Sequence, residues 1–198
     1  INSTNAINVY SSLVRKAMEK TTERPVLLAP NAIFRYHEKP NFKPQPKLTV
    51  IIPGRIDSRR RYYSWVNQLP AGLVKKCAII LLGRAQKNNE LKTVDEFVRC
   101  GYDQPMALSG KFIPYDEFDQ IIESADILLA PLSKLDSYNS SIDRNLGAFF
   151  DAVRYGKPLL VPKHAPVSDE LKNSVITYES DKHLGDLLLR LAQDNNYV

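Results

Sequence analysis

Asp143-Arg-Asn-Leu-Gly-Ala-Phe-Phe-Asp151-Ala-Val-Arg-Tyr-Gly-Lys-Pro-Leu-Leu-Val-Pro162 is the stretch on which the reading of the chain turns. Leu146, Phe149, Phe150 and Val153 fall at i, i+3, i+4 and i+7, the stripe of a helix packed on a core. Gly156-Lys157-Pro158 stops that helix before the apolar run Leu159-Leu160-Val161. Asp143 precedes the helix, and Asp151 lies inside it, off the stripe. Unpaired N–H groups and the macrodipole at a helix N-terminus favour a phosphate, and two carboxylates beside it can accept from hydroxyls, a pairing that suits a sugar nucleotide. Taken singly, either acid reads more simply as a helix cap or a solvated face residue; the other motifs and their order change that reading.

Working outward, apolar strands alternate with amphipathic helices. Residues 5–20 carry Ile7, Tyr10, Leu13, Val14 and Ala17 at helical spacing, and Val26-Leu27-Leu28-Ala29 reads as a short strand. Phe34 to Pro46 holds three prolines and reads as a loop. Leu48 to Ile52 and Cys77 to Leu82 are buried strands, with a helix between them marked by Tyr62, Trp65, Val66 and Leu69. Helices are expected around Leu91-Val94-Val98 and Phe118-Ile121-Ile122-Ala125, with a weak strand at Met106-Ala-Leu108. Strands follow at Ile127–Ala130 and Val175–Thr177, and a last helix carries Leu184, Leu187, Leu188 and Leu191, capped by Ser180 or Asp181. Strands apolar throughout and separated by helices predict an α/β fold: a Rossmann-like parallel sheet with helices on both faces and its ligand at the strands' carboxyl ends.

Composition narrows the function classes. The 198 residues can bury a full core, and 43% hydrophobic with 25% charged residues is ordinary for a globular domain. No apolar run approaches the ~20 residues of a transmembrane helix. The net charge is +5, yet the basic residues are dispersed and Arg59-Arg60-Arg61 is the one dense run, which argues against a nucleic-acid partner. Cys77 and Cys100 read as reduced, buried thiols of an intracellular protein. His37, His164 and His183 are scattered and support no metal site. A start at Ile1 without Met or signal peptide leads us to expect a piece of a longer protein, with 1–24 as an N-terminal helix or interdomain segment and 25–198 as the nucleotide-sugar-binding domain.

The strand ends carry the remaining chemistry. Gly54-Arg55 leaves the first long strand, a turn without side-chain obstruction that hands over to Arg59, Arg60 and Arg61, guanidiniums able to grip a diphosphate by paired hydrogen bonds. Three arginines at a helix start oppose its dipole, and a bound anion relieves that opposition. A solvated first turn is the plainer alternative.

In this order the motifs resemble those of retaining GT-B glycosyltransferases of the family 4 type, from about residue 26 to the C-terminus. Asp143 and Asp151 stand where that family has Glu-x7-Glu, and Arg144-Asn145-Leu146 replaces its Gly-Phe-Gly. Arg60 falls where the family has a Lys five residues after the Gly-Arg arginine. Ser109-Gly110-Lys111-Phe112-Ile113-Pro114 is similar to the stretch whose main chain meets the nucleobase edge. Ser124-Ala125-Asp126 through Pro131-Leu132-Ser133 is similar to the strand that delivers the loop bearing the first acid. Gly83-Arg84 stands at the family's Gly-Asp/Glu-Gly, and Pro30-Asn31 at a segment near the interdomain crevice.

The resemblance implies the C-terminal, donor-binding half of a GT-B fold. It further implies transfer of a sugar from a nucleoside diphosphate sugar to an acceptor hydroxyl with retention, in polysaccharide or glycoconjugate synthesis, without metal or cofactor. Arg55 and Arg60 would stabilise the departing diphosphate, Asp143 would contact the donor sugar and Asp151 the ribose. Gly54, Lys111, Phe112, Ile113, Leu146 and Gly147 complete the donor-contacting set. The acceptor, a glycan or lipid-linked glycan, would be held by the missing N-terminal half, in the cytoplasm or at the inner face of a membrane, with peripheral membrane contact through the parent protein. Each Asp reaches roughly 1.5 Å less far than Glu. Two other classes stay open: a module that binds a sugar nucleotide or a protein without turnover, and a GT-B-shaped sugar-nucleotide epimerase, for which the required acids and His are not found at suitable spacings.

Overall fold

The computed structural model describes residues 6–9, 12–28, 47–56, 63–132 and 147–193. At the N-terminus β1 (Ile7–Val9) and β2 (Val26–Leu28) pair in parallel, Ile7 opposite Val26, with α1 (Ser12–Met18) between them. The stripe over 5–20 is therefore two elements. Ile7 and Val9 flank Asn8 in strand alternation, and pairing with β2 prevails over the helical spacing that Ile7 shares with Tyr10, Leu13, Val14 and Ala17.

The main sheet is built from β3 (Leu48–Pro53), β4 (Cys77–Leu82), β5 (Ile127–Leu129), β6 (Leu159–Pro162) and β7 (Val175–Tyr178), all parallel, in the order β4-β3-β5-β6-β7. After β4 the chain crosses back over β3 and lays β5 on its other side. The sheet thus reverses its direction of growth at β3, the switch point beside which open parallel sheets place their ligands. Asp126 pins the register there: Thr49 N–H donates to its carboxylate at 2.7 Å, and its own N–H donates to the Thr49 carbonyl at 2.9 Å. On the outer edge of β4 the Gln104 amide acts as a substitute strand. It donates to the Ile79 carbonyl at 2.6 Å and accepts from Leu81 N–H at 2.7 Å, satisfying edge groups otherwise open to another chain.

Both faces are covered, as apolar parallel strands require. Val50, Ile52, Ile79, Leu81 and Leu129 point to one side, against Trp65, Val94 and Phe97 and against Leu184 and Leu188. That layer comprises α2 (Asn88–Arg99) and α6 (Asp181–Leu191) together with a 3-10 turn at Ser64–Gln68 where the sequence predicts a full helix. Ile51, Leu82, Leu128 and Val161 point to the other side, against α4 (Tyr115–Glu123) and α5 (Gly147–Tyr155). Met106 to Leu108, expected as a weak strand, lies in the helical turn α3 (Pro105–Leu108), started by a proline whose fixed φ suits a first helical position. Ser180 caps α6, its side chain accepting from His183 N–H at 3.2 Å.

The α5 stripe is rotated from the expected one. Ala148, Phe149, Ala152 and Tyr155 are buried, Phe150 is only partly so, and Val153 is 50% exposed. Two alanines on the inner face let the helix approach the sheet closely, and Asp151 is turned towards the strand ends. Cys77 and Cys100 are both free thiols, but only Cys77 is buried, where desolvation pushes it up to about 12.

Candidate functional site

β3 and β4 end side by side and make the floor of the site. Gly54 turns with φ of +89°, a backbone that side-chain-bearing residues adopt only under strain, and its N–H donates to the Leu82 carbonyl at 3.0 Å. A Cβ on Gly83 would lie 2.3 Å from the Gly54 carbonyl oxygen. The two turns therefore abut with no room for a side chain at position 83. Above them opens a cavity of about 590 Å³. Arg55 and Arg84 rise from the floor, Gln86, Lys87 and Glu90 come from the start of α2, and Lys111 to Phe118 form the opposite lip. Asp119 of α4 and Asp151 and Arg154 of α5 complete the wall.

Five basic side chains (Arg55, Arg84, Lys87, Lys111, Arg154) and three acidic ones (Glu90, Asp119, Asp151) line this space, a net positive field that favours an anionic ligand. Glu90 is the most buried of these eight lining charges, at 5% exposure. Its carboxylate accepts from Gln86 N–H at 3.0 Å and Lys87 N–H at 3.1 Å, and lies 3.6 Å from Arg55 Nη2. The Gln86 N–H is the main cause holding this carboxyl below its ordinary value; the Lys87 N–H and the Arg55 charge act the same way, against burial. Glu90 thus caps α2 from its third position, taking up the N–H groups of the two residues that precede the helix.

Across the cavity, Asp119 accepts from Arg154 Nη2 at 2.9 Å and from the Tyr155 hydroxyl in a short hydrogen bond. The Arg154 guanidinium also lies 4.9 Å from the Tyr155 ring centre. Burial, then the bond to Asp119, raises the Tyr155 hydroxyl above its ordinary range, so it remains a donor. At the lip Phe112 and Tyr115 meet edge to face, 6.2 Å between ring centres, while 67% and 76% exposed. Lys157 of the Gly-Lys-Pro turn points away from the cavity. It is 4% exposed, and its Nζ donates to the Glu123 carbonyl at 2.8 Å and the Ala125 carbonyl at 2.6 Å, closing the C-terminus of α4.

Of the residues singled out in the sequence, Gly54, Arg55, Lys111, Phe112, Ile113 and Asp151 line this one cavity. Gly147 opens α5 exposed to solvent and is not part of the lining. Arg60, Asp143 and Leu146 lie outside the described residues, as do Arg59, Arg61, Pro30 and Asn31. Sequence reasoning missed Glu90, Asp119 and Arg154. Glu90 stands three residues after Lys87, the spacing of a reciprocal helix cap, but a lysine in the cap position conceals it. Among the described residues no cluster of three or more His, Cys, Asp or Glu is arranged to hold a metal ion, and no helix is long and apolar enough to cross a membrane.

No family model matches the sequence, and no curated protein matches it. Solved structures match the fold. Alr3699/HepE from Anabaena, solved with UDP and glucose, superposes with a TM-score of 0.59 at 14% identity, over 96% of this chain and 54% of its own. TarM from S. aureus, solved in a complex that includes UDP, gives 0.63 at 12% identity, over 98% and 38%. WaaG, a glycosyltransferase involved in lipopolysaccharide biosynthesis, gives 0.62 at 14% identity, over 94% and 53%. The chain spans about half the length of HepE and WaaG. Its five-stranded parallel sheet with helices on both faces is the fold of the C-terminal domain of GT-B glycosyltransferases.

Proposed function

We propose that this chain is the donor-binding half of a retaining glycosyltransferase that takes a sugar from a nucleoside diphosphate sugar, in polysaccharide or glycoconjugate synthesis. The observation that carries the reading is the cavity at the carboxyl ends of β3 and β4. There, Arg55, Asp151 and Lys111–Ile113, drawn from three distant parts of the sequence, line one net-positive space. Arg55, with Arg60, neutralises charge building on the leaving diphosphate. Asp151 accepts from the ribose hydroxyls, Asp143 contacts the donor sugar, and the main chain at Lys111–Ile113 meets the base edge. Gly54 in the lining lets the ligand approach the backbone, and Leu146 and Gly147 would meet the donor beyond that lining. The acceptor glycan or lipid-linked glycan is held by a second half to which residues 1–24 lead, in the cytoplasm or at the inner face of a membrane.

UDP is the first ligand to test, because HepE and TarM were solved with it. Calorimetric titration with UDP, GDP and ADP, using heparin and a random oligonucleotide as polyanion controls, separates a nucleotide site from a merely basic surface. One nucleoside diphosphate should bind with a stoichiometry of one, and this chain alone should transfer no sugar, since half of the reacting geometry is lacking. Equal binding of all polyanions, lost on adding salt, would refute the nucleotide site; robust transfer by these residues alone would refute the half-enzyme reading.

A further inference from the structure

We propose that Glu90 is a positioning residue of this site: its carboxylate, anchored on the Gln86 and Lys87 N–H groups that precede α2, holds the Arg55 guanidinium over the cavity, so that Arg55 meets a diphosphate already oriented. The inference rests on the sugar-nucleotide reading above. Glu90 lines the cavity although its side chain is only 7% exposed. A buried carboxylate must find partners, and its partners are two backbone N–H groups and Arg55. Those bonds fix Glu90, and Glu90 in turn restrains Arg55, whose side chain is 61% exposed and would otherwise sample many rotamers. At 3.6 Å the Arg55 contact is an ion pair without a direct hydrogen bond. The guanidinium therefore keeps its five N–H donors for a second, closer acceptor, and it is oriented without being consumed.

A residue that only caps α2 would act independently of Arg55, and a double-mutant cycle separates the two roles. UDP, or whichever of UDP, GDP and ADP the unaltered protein binds, is titrated into the protein, Arg55→Ala, Glu90→Gln and the double variant. Glutamine keeps an oxygen for the two N–H donors and removes the charge. Arg55→Ala should weaken binding about 10- to 150-fold and Glu90→Gln about 3- to 10-fold through lost preorganisation. The double variant should bind no worse than Arg55→Ala alone, within about twofold. Losses that multiply, or tighter binding by Glu90→Gln, would overturn the proposal while leaving the nucleotide site standing. If none of the three nucleotides binds the unaltered protein, the reading beneath it fails as well. Should Glu90→Gln not fold, Arg55→Lys serves instead. It keeps the charge but has no fork to share between Glu90 and phosphate, and should lose at least about fivefold; unchanged affinity would refute the positioning role.

Discussion

The backbone of Gly54 leaves no room for a side chain on Gly83: the missing Cβ would stand 2.3 Å from the Gly54 carbonyl oxygen. The two turns are thus mutually dependent, and the floor of the cavity is fixed by contact between main chains. Gly83→Ala must move a strand end, at a cost of about 1–3 kcal/mol. The thermal midpoint should fall ~2–4 °C for each kcal/mol, and nucleotide binding should weaken with it. Gly72→Ala is the control, because nothing lies within 4 Å of its added carbon; its midpoint should stay close to that of the unaltered protein.

Lys157 belongs to the motif beside Asp151 yet serves the scaffold. Replacing it with Met removes two charge-assisted hydrogen bonds to the carbonyls of Glu123 and Ala125 and should cost about 2–4 kcal/mol. Denaturant unfolding should record that loss, while titration of the folded variant should return an unchanged nucleotide affinity. A stable variant that has lost its affinity would instead place Lys157 in the donor site.

Glu90 gives the site an acid-sensitive component. Its folded pKa lies below the ordinary 4.5, so the folded state binds fewer protons than the unfolded chain in the interval between the two values. Its stabilisation is complete above about pH 4.5 and is lost as pH falls through the folded value. Between pH 6 and 3 the protein should lose stability more steeply than Glu90→Gln. Parallel stability curves for the two would show that the carboxylate is not favoured by its surroundings.

Much of this was legible in the residues, for physical reasons that also explain the failures. β3 and β4 read directly because strands buried on both faces are apolar throughout, as Val50, Ile51, Ile52, Ile79 and Leu81 are. Arg55 could be placed because it follows the end of a parallel strand and Asp151 because its helix precedes one, whereas Lys111 reaches the same cavity behind the helical turn α3 and not behind the strand expected there. Ile7 was misleading because it falls in step with the helical stripe that follows it, while the pairing that makes Ile7–Val9 a strand lies with the distant Val26–Leu28. The α5 stripe was misassigned because size was weighed over closeness: Ala148 and Ala152, not Val153, face the sheet. Glu90, Asp119 and Arg154 were invisible because their partners, Arg55 on one side and one another on the other, come from separate elements.

The central claim is that Arg55 and Asp151 hold opposite ends of one nucleoside diphosphate. A crystal structure of the chain with the nucleotide it binds best tests it most directly. The expected result places the diphosphate oxygens within about 3 Å of the Arg55 guanidinium and a ribose hydroxyl within hydrogen-bonding reach of the Asp151 carboxylate, directly or through one water. A nucleotide bound outside the cavity above Gly54 and Gly83, or one whose phosphates lie away from Arg55, would contradict it.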